Sequence, residues 1–290
     1  MSEGKIAIIT DSSTYFTPEI VKQYNLGIAP LVLILENQEY RDGIDITAND
    51  FYTRLKNEKL VATTSQASVG DFADLYRKFM AEGYSEIIAI VISQELSGTY
   101  NSAMQATNLV PDAKVTLVDS RSASMGLGMM VLAGARAAAA GKSKDEILAA
   151  IESSRQRSGI YFTVETLEYL QRGGRIGGAQ ALLGNALGLK PVLTASQDSG
   201  RVESVQRIRT KKKALAFIED EVVRLIGANG NVYLTAIHAL AEDEATTVLN
   251  NVKARLGDRV KMANLAPASP IVCAHTGPGT VGLAYYFGED

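Results

Sequence analysis

The feature that most constrains this chain is a strand, a turn and a helix between Glu86 and Leu109. Residues 87–92 form a continuous apolar run rich in isoleucine, which favours a strand covered on both faces, as in a parallel sheet. A polar turn over residues 93–100 interrupts the run before helical spacing resumes. The turn is therefore predicted to lie at the carboxyl end of a central strand, where open α/β sheets bind their ligands.

This turn contains Ser97, Gly98 and Thr99. Hydroxyl groups and the free N–H groups of a helix start can hold a carboxylate or a phosphate, and a glycine lets the backbone approach a ligand closely. The same residues are also typical of an N-cap serine followed by a turn glycine, with no ligand at all. The turn taken by itself leaves both interpretations open.

Strands and helices alternate along the first half of the chain. The strands predicted there are residues 6–10, 28–35, 87–92 and 114–118. This alternation predicts a doubly wound parallel sheet. The pattern changes near residue 158, after which a hairpin signal at residues 198–200 lies next to helices and predicts a mixed sheet. The sequence thus favours an α/β fold with two domains and a boundary near residue 158.

Charge and composition exclude several classes of function. The net charge of −3 gives no global attraction to nucleic acid or to an anionic membrane. The single cysteine, Cys273, excludes an internal disulfide and fits a reducing compartment. The longest apolar stretch, residues 124–135, is too short to span a bilayer. We therefore expect a cytoplasmic protein with no nucleic-acid partner and no integral membrane segment.

Three segments are rich in hydroxyl groups and adjoin predicted strands or helices. They are residues 11–14, residues 63–66, which include Thr64, and residues 93–99. If they converge at one sheet edge, their hydroxyl and N–H groups can hold an anion. A buried carboxylate costs several kcal/mol unless several donors satisfy it, so a cation or an imidazole is expected to join them.

The chain has two histidines that could supply the imidazole. His238 ends a predicted strand, where a structural role is expected. His275 ends an apolar run at residues 271–275 that is predicted to be a strand, and a glycine-rich turn follows it. A ligand contact and a structural role both remain open for His275. That turn matches G-x-G-x-x-G, but too few residues follow it for dinucleotide binding, and no metal site is expected from scattered ligands.

Two groups of basic residues could meet an anion. Arg172 and Arg175 bracket a diglycine, while Arg209 precedes a run of three lysines, Lys211–Lys213, at a predicted helix start. Cations are unfavourable at a helix N-terminus, so the second group hints at an anionic partner. Solvated side chains in a linker or on a helix surface are the alternative for both groups.

Five short motifs lie along the chain in a fixed order. They are Ile8-Ile9-Thr10-Asp11-Ser12, Thr64-Ser65-Gln66, Leu96-Ser97-Gly98-Thr99-Tyr100, Gly173-Gly174-Arg175-Ile176 and His275-Thr276-Gly277-Pro278-Gly279. In this order the chain resembles the DegV family over essentially its whole length. One departure is Ala67, where the family often has proline after Thr-Ser-Gln; the departure leaves the hydroxyl groups in place.

The resemblance implies an N-terminal three-layer parallel-sheet domain over residues 1–158 and a C-terminal two-layer α/β domain with a mixed sheet over residues 159–290. It implies a ligand site between them that holds one long-chain fatty acid, with no cofactor and no metal. It also implies a partner, the ATP-dependent kinase subunit of bacterial fatty acid kinase, to which the chain presents the carboxylate. The chain itself would then be a carrier and not an enzyme.

The motifs carry roles over to particular residues. The residues that would contact the fatty acid are Thr64, Ser97, Gly98, Thr99 and His275. Those that would serve presentation to the kinase are Arg175 and Arg209, which are expected to face outward. Candidate walls for the acyl chain are Ala181-Leu182-Leu183 and Ala186-Leu187, although core packing explains these residues equally well.

Two other functions remain open. One is a free-standing enzyme on a small polar carbonyl compound, as in the related dihydroxyacetone kinase, with His275 attacking or polarising the carbonyl group. The other is a sensor for which the bound lipid is a signal. A long acyl chain in the cavity favours the carrier, and a short polar pocket favours the enzyme.

Overall fold

The computed structural model describes residues 4–58, 60–185 and 188–288. The elements up to residue 156 are β1 (Ile6–Asp11), α1 (Pro18–Tyr24), β2 (Gly27–Ala29), β3 (Val32–Leu35), β4 (Gln38–Arg41), α2 (Ala48–Asn57), β5 (Ala62–Ser65), α3 (Val69–Ala81), β6 (Glu86–Val91), α4 (Thr99–Leu109), β7 (Val115–Asp119), α5 (Ser124–Ala139) and α6 (Lys144–Gln156). The later elements are β8 (Ser158–Thr163), α7 (Glu168–Arg172), β9 (Val192–Ala195), β10 (Val202–Gln206), α8 (Lys211–Ile226), β11 (Asn231–His238), α9 (Glu242–Leu256), β12 (Val260–Pro267), α10 (Pro270–Thr276) and β13 (Val281–Gly288). None of the helices in the described ranges is long and apolar enough to cross a membrane.

A four-stranded parallel sheet with the order β2-β1-β6-β7 is the middle of three layers. Strands β1 and β6 pair with Ile8 opposite Ile88, and β6 pairs with β7 in the same direction. Helices α3 and α4 cover one face, and α5 and α6 cover the other. Ile88 and Ile90 are fully buried because both faces are covered. The predicted parallel sheet is therefore confirmed.

A six-stranded mixed sheet has the order β10-β9-β8-β13-β11-β12. Strands β11 and β12 are parallel, and the other described pairs are antiparallel. Helices α8 and α9 cover one face. Strands β9 and β10 place Ala195 opposite Val202, which confirms the predicted hairpin. This sheet begins with β8 at Ser158, so sheet membership changes near the predicted domain boundary, which itself stays a prediction.

Helix α5 lies between the two sheets. Its Leu127 and Met130 pack against the parallel sheet, whereas Met125 and Met129 pack against the mixed sheet. A helix that is apolar all round is stable in water only when it is buried on both sides. Since α5 follows β7, its first turn lies where the carboxyl ends of the parallel strands meet the mixed sheet.

The hydroxyl-rich segment at residues 63–66, which the sequence does not predict as a strand, lies largely within β5. Strand β5 is the edge of a three-stranded antiparallel sheet, β4-β3-β5, with Thr64 opposite Leu33. The single strand predicted over residues 28–35 is wrong, because the run divides into β2 and β3. Pro30 lies at the division, since proline cannot donate a ladder hydrogen bond.

The strand predicted at residues 271–275 is the helix α10, so this prediction is wrong too. Ser269 caps the helix by accepting a hydrogen bond from the N–H group of Val272 at 3.2 Å, and Pro270 occupies the first turn. Both residues are helix-start signals, and an apolar run of five residues is too short to favour a strand over a helix. His275 therefore lies in the last turn of a helix.

Candidate functional site

A cavity of about 240 Å³ lies between the parallel-sheet and mixed-sheet parts of the chain. One water molecule needs roughly 10–15 Å³, so the cavity has room for a much larger guest. Its wall is mainly apolar and includes Leu31, Ile92, Phe162, Ile237 and Ile271. Five further wall residues, which we call the polar cluster, are Thr64, Ser97, Gly98, Arg175 and His275.

His275 at the end of α10 meets Thr64 on β5. The Nε2 atom of His275 is 2.7 Å from the Oγ1 atom of Thr64. Helix α10 reaches the three-stranded sheet because its Ile271 and Ala274 pack into the core between that sheet and α2. Tertiary packing therefore joins two residues that are remote in sequence.

The imidazole of His275 is uncharged at neutral pH. Burial, together with the positive charge of Arg175, lowers the pKa of His275 to about 4. Its Nδ1 atom is buried and has no hydrogen-bond partner among the described residues. Gly173 allows this packing, because a Cβ atom there would lie 2.1 Å from Nδ1. The ring therefore offers a neutral polar group to the cavity.

Ser97 and Gly98 line the cavity just before and at the start of α4. The Oγ atom of Ser97 is 2.8 Å from the Oγ1 atom of Thr99 and accepts a hydrogen bond from the Thr99 N–H group at 3.3 Å. Thr99 is fully buried and is not among the residues that line the cavity. Its contacts with Ser97 therefore orient that serine. A Cβ atom at Gly98 would lie 1.8 Å from the Oε1 atom of Gln66, so a larger residue here would displace the end of the Gln66 side chain.

Arg175 lies in the cavity wall and is half-buried. Its Nε atom donates to the carbonyl oxygen of Leu96 at 2.9 Å, and its Nη1 atom donates to that of Gly173 at 2.8 Å. Among the described wall residues it is the one side chain with a formal charge at neutral pH. This position differs from the expected outward-facing one, because two backbone carbonyl groups hold the guanidinium against the wall.

Arg209 lies outside the cavity, between β10 and α8, and is exposed. Within the described parts of the chain it makes no hydrogen bond or ion pair. The neighbouring Lys211 is paired with Glu165 at 2.8 Å and with Glu244 at 2.6 Å. Arg175 and Arg209, to which the family resemblance gives the same role, therefore have different surroundings.

The hydroxyl-rich segment 11–14 does not reach the described wall of the cavity. Asp11 accepts a hydrogen bond from the N–H group of Ile92 at 2.7 Å, and the Ser12 hydroxyl accepts one from Leu31 at 3.1 Å. These bonds connect β1 to the ends of neighbouring segments. Of the three hydroxyl-rich segments that could converge, this one does not line the cavity, and its polar atoms connect parts of the fold.

The residues predicted to surround the acyl chain are not among the described residues that line the cavity. Leu182 is buried in a core with Leu170 and Val202, and the segment Ala181–Leu183 does not line the cavity. Ala186 and Leu187 lie outside the described residues. The apolar wall comes instead from several elements on both sides of residue 158.

Sequence reasoning missed part of that wall although a signal was present. Ile160 and Phe162 line the cavity from β8. Residues two apart on a strand share one face, so their spacing identifies a common apolar surface. In the sequence Gly173 is only one half of a diglycine, and its contact with His275 appears only in the tertiary structure.

Other reactive residues lie away from the cavity. His238 ends β11 and is half-buried outside the described wall. Cys273 is buried, and burial raises the pKa of its thiol to about 12. The described part of the chain contains no group of three or more His, Cys, Asp or Glu residues that could hold a metal ion.

Comparisons with known proteins agree with this architecture. A family model described as an uncharacterised protein of the DegV family matches residues 5–288. A DegV domain-containing protein from Listeria monocytogenes is 33% identical over 283 residues, which cover 97% of this chain and 98% of the relative.

Two solved structures extend the comparison. A DegV family protein from Thermus thermophilus, described by its fatty acid binding, superposes with a TM-score of 0.90 at 36% identity, covering 98% of this chain and 99% of that chain. A stearic acid-binding protein from Eubacterium ventriosum superposes with a TM-score of 0.88 at 27% identity, covering 97% and 98%. The family match, the sequence relative and the shared fold lead to one conclusion: this chain belongs to the DegV family.

Proposed function

We propose that this chain binds one long-chain fatty acid in the cavity, with the carboxylate at the polar cluster. The observation that carries this proposal is a single guanidinium and several uncharged donors in an otherwise apolar wall. One positive charge complements one carboxylate, and the apolar wall suits an acyl chain. The relatives from Thermus thermophilus and Eubacterium ventriosum support the same ligand class.

The polar cluster can satisfy a carboxylate at neutral pH. With a hydrogen on Nε2, His275 donates to Thr64, whose hydroxyl then donates to one carboxylate oxygen. When the Thr99 hydroxyl donates to Ser97, the Ser97 oxygen accepts that hydrogen and the Thr99 N–H group, and its own hydrogen is free to donate to the same carboxylate. The guanidinium of Arg175 supplies the opposite charge. Several donors and one cation meet the condition for burying a carboxylate.

Burial of the acyl chain supplies most of the affinity. A chain of about fourteen methylene groups at roughly 0.8 kcal/mol each gives a gross free energy near 11 kcal/mol. Lost translational and rotational freedom removes part of it. The ligand is therefore expected to survive purification.

We further propose that the chain presents the bound carboxylate to a separate kinase. The kinase would transfer the γ-phosphoryl group of ATP to a carboxylate oxygen, releasing ADP and leaving an acyl phosphate on the carrier. Exposed Arg209 next to Lys212 supports this idea, because both lie at the start of α8, where the helix dipole disfavours cations. An anionic partner surface would offset that unfavourable placement.

Native mass spectrometry of the purified chain tests the ligand class. We expect a mass increase equal to one long-chain fatty acid, which gentle delipidation removes and added stearate restores. An empty cavity that accepts only small carbonyl compounds would instead favour the free-standing enzyme. Incubation with ATP and magnesium should yield acyl phosphate only after a partner kinase is added, and turnover by the chain alone would contradict the carrier role.

A further inference from the structure

A second polar position lies in the cavity wall, outside the polar cluster. Ser124, the first residue of α5, is 5% exposed and lines the cavity. Its hydroxyl has no hydrogen-bond partner among the residues that the structure describes. Because Ser124 lines the cavity and its hydroxyl is not bonded to a neighbouring residue, this group is available to a guest there.

The backbone at the same place adds further donors. The residue before the helix, Ala123, also lines the cavity, and it has no side chain that can cap the N–H groups of the first turn. Helix α5 has 16 residues, so the positive end of a full helix dipole faces the cavity here. The N–H groups of Gly126 and Leu127 donate to the carbonyl oxygen of Ala123, so the donors left for an oxygen atom of the guest are the hydroxyl of Ser124 and the N–H groups of Ser124 and Met125.

The surroundings of this position are apolar. A Cβ atom at Gly126 would lie 3.2 Å from the Cγ2 atom of Ile160, and Met125 packs with Ile160 and Ala195. Ile160 and Ala195 are themselves part of the cavity wall. The start of α5 therefore adjoins the part of the cavity suited to the acyl chain, and a saturated chain would leave the Ser124 hydroxyl unsatisfied.

We infer that the start of α5 recognises an oxygen atom within the acyl chain, so that the cavity prefers fatty acids with an in-chain hydroxyl or oxo group. This inference rests on the proposed fatty-acid function and specifies its substrate class. Ser124 and the first N–H groups of α5 donate to that oxygen while the polar cluster holds the carboxylate. The position of the oxygen along the chain then matters, because the distance between the two polar positions is fixed.

Calorimetric titration of the delipidated chain tests this inference. The probes are stearate, a series of hydroxystearates that differ in the carbon bearing the hydroxyl, and the matching oxostearates. We expect one position of the oxygen to bind roughly three- to tenfold more tightly than stearate, as for one added hydrogen bond. Ser124→Ala should abolish this preference and leave the affinity for stearate nearly unchanged.

Two further variants keep the test decisive. Ser124 has a φ of 53°, which glycine adopts readily, so Ser124→Gly removes the hydroxyl without backbone strain and should behave like Ser124→Ala. Ser122→Ala removes another buried hydroxyl without a partner from the same turn, but Ser122 is not in the described wall, so the preference should persist.

The inference is overturned if wild-type protein binds stearate and every oxygenated analogue equally. It is also overturned if Ser124→Ala weakens stearate as much as hydroxystearate, since the hydroxyl would then contact the carboxylate. Failure of the wild type to bind any of these fatty acids would instead contradict the proposed function itself.

Discussion

The Oγ1 atom of Thr64 lies 2.7 Å from the Nε2 atom of His275, although 211 positions separate the two residues. Thr64 belongs to the edge strand of the three-stranded sheet, and His275 ends a helix that follows the mixed sheet. Tyr52 of α2 holds the segment before that helix by donating to the carbonyl oxygen of Ala268 at 2.6 Å. The geometry of the polar cluster therefore depends on how α10 packs against α2.

Gly173→Ala should weaken fatty acid binding by about tenfold, the cost of displacing one donor from a charged group. The new methyl group would lie 2.1 Å from the Nδ1 atom of His275 and must move the ring. Gly174→Ala is the matched control. Gly174 has a φ of 69° and no atom within 4 Å of its Cβ position, so the alanine should lower stability through backbone strain and leave affinity unchanged. Calorimetry and thermal unfolding on both variants check the prediction, and equal affinities would contradict it.

Binding of a fatty acid should raise the pKa of His275. Burial and the charge of Arg175 hold this pKa near 4 in the free chain, and a nearby carboxylate favours the imidazolium form. NMR titration of the ring protons in free and loaded protein measures the shift. His238 is an internal control: burial lowers its pKa, but it lies outside the described wall, so its titration should not respond to ligand. A ligand-independent pKa at His275 would show that the carboxylate binds elsewhere.

The free energy of unfolding should fall as pH rises because of the buried carboxyl group of Asp42. Burial, aided by the negative charge of Asp11, raises its pKa to about 7, compared with about 4 in an unfolded chain. The folded state therefore holds the proton more tightly, and the free energy of unfolding falls between these two pH values and then levels off. At 1.36 kcal/mol for each factor of ten, the effect is of order 4 kcal/mol.

Asp42→Asn should flatten that fall, measured by denaturant unfolding at several pH values. Asp45→Asn is a control of opposite sign. Its exposed carboxyl pairs with Arg41, which lowers its pKa, so this carboxylate contributes stability above its unfolded pKa and loses it in acid. An unchanged pH dependence in Asp42→Asn would contradict the assignment.

Arg175→Ala and Arg209→Ala should separate ligand binding from presentation. Arg175 lines the cavity, so its loss leaves the carboxylate without a cation and should weaken fatty acid binding by roughly tenfold to a hundredfold. Arg209 is exposed, so its loss should leave binding nearly intact and lower phosphorylation by the partner kinase. Binding and phosphorylation are measured on both variants. Loss of ligand by Arg209→Ala as severe as by Arg175→Ala would overturn the division.

The sequence predicted those elements whose signal is local and long. The apolar run of β6 and the hairpin of β9 and β10 carry patterns that neighbouring residues complete, and both are found as expected. The run at residues 271–275 is too short for periodicity to distinguish a strand from a helix, and the cap formed by Ser269 decides the outcome.

The cavity was harder to predict than the residues around it. Four residues that the motif resemblance implies as ligand contacts, Thr64, Ser97, Gly98 and His275, line the cavity, but Thr99 does not, and Arg175 was expected to face outward. The contacts among these residues depend on packing between remote elements. The guanidinium of Arg175 turns inward because the carbonyl oxygen of Leu96 lies within reach, and nothing near Arg175 in the sequence signals that contact. Ser124 likewise becomes notable only once α5 is seen between the two sheets.

The most direct test of the account is a calorimetric titration of delipidated protein with stearate, for the wild type and for Ser97→Ala. Ser97 lines the cavity, and a lost hydrogen bond to a charged group costs about 1.5–3 kcal/mol. We expect uptake of one stearate per wild-type chain and roughly tenfold to a hundredfold weaker binding by Ser97→Ala, with the fold intact. No uptake by the wild type, or equal affinity in the two proteins, would contradict the claim that this cavity holds a fatty acid by its carboxylate at the polar cluster.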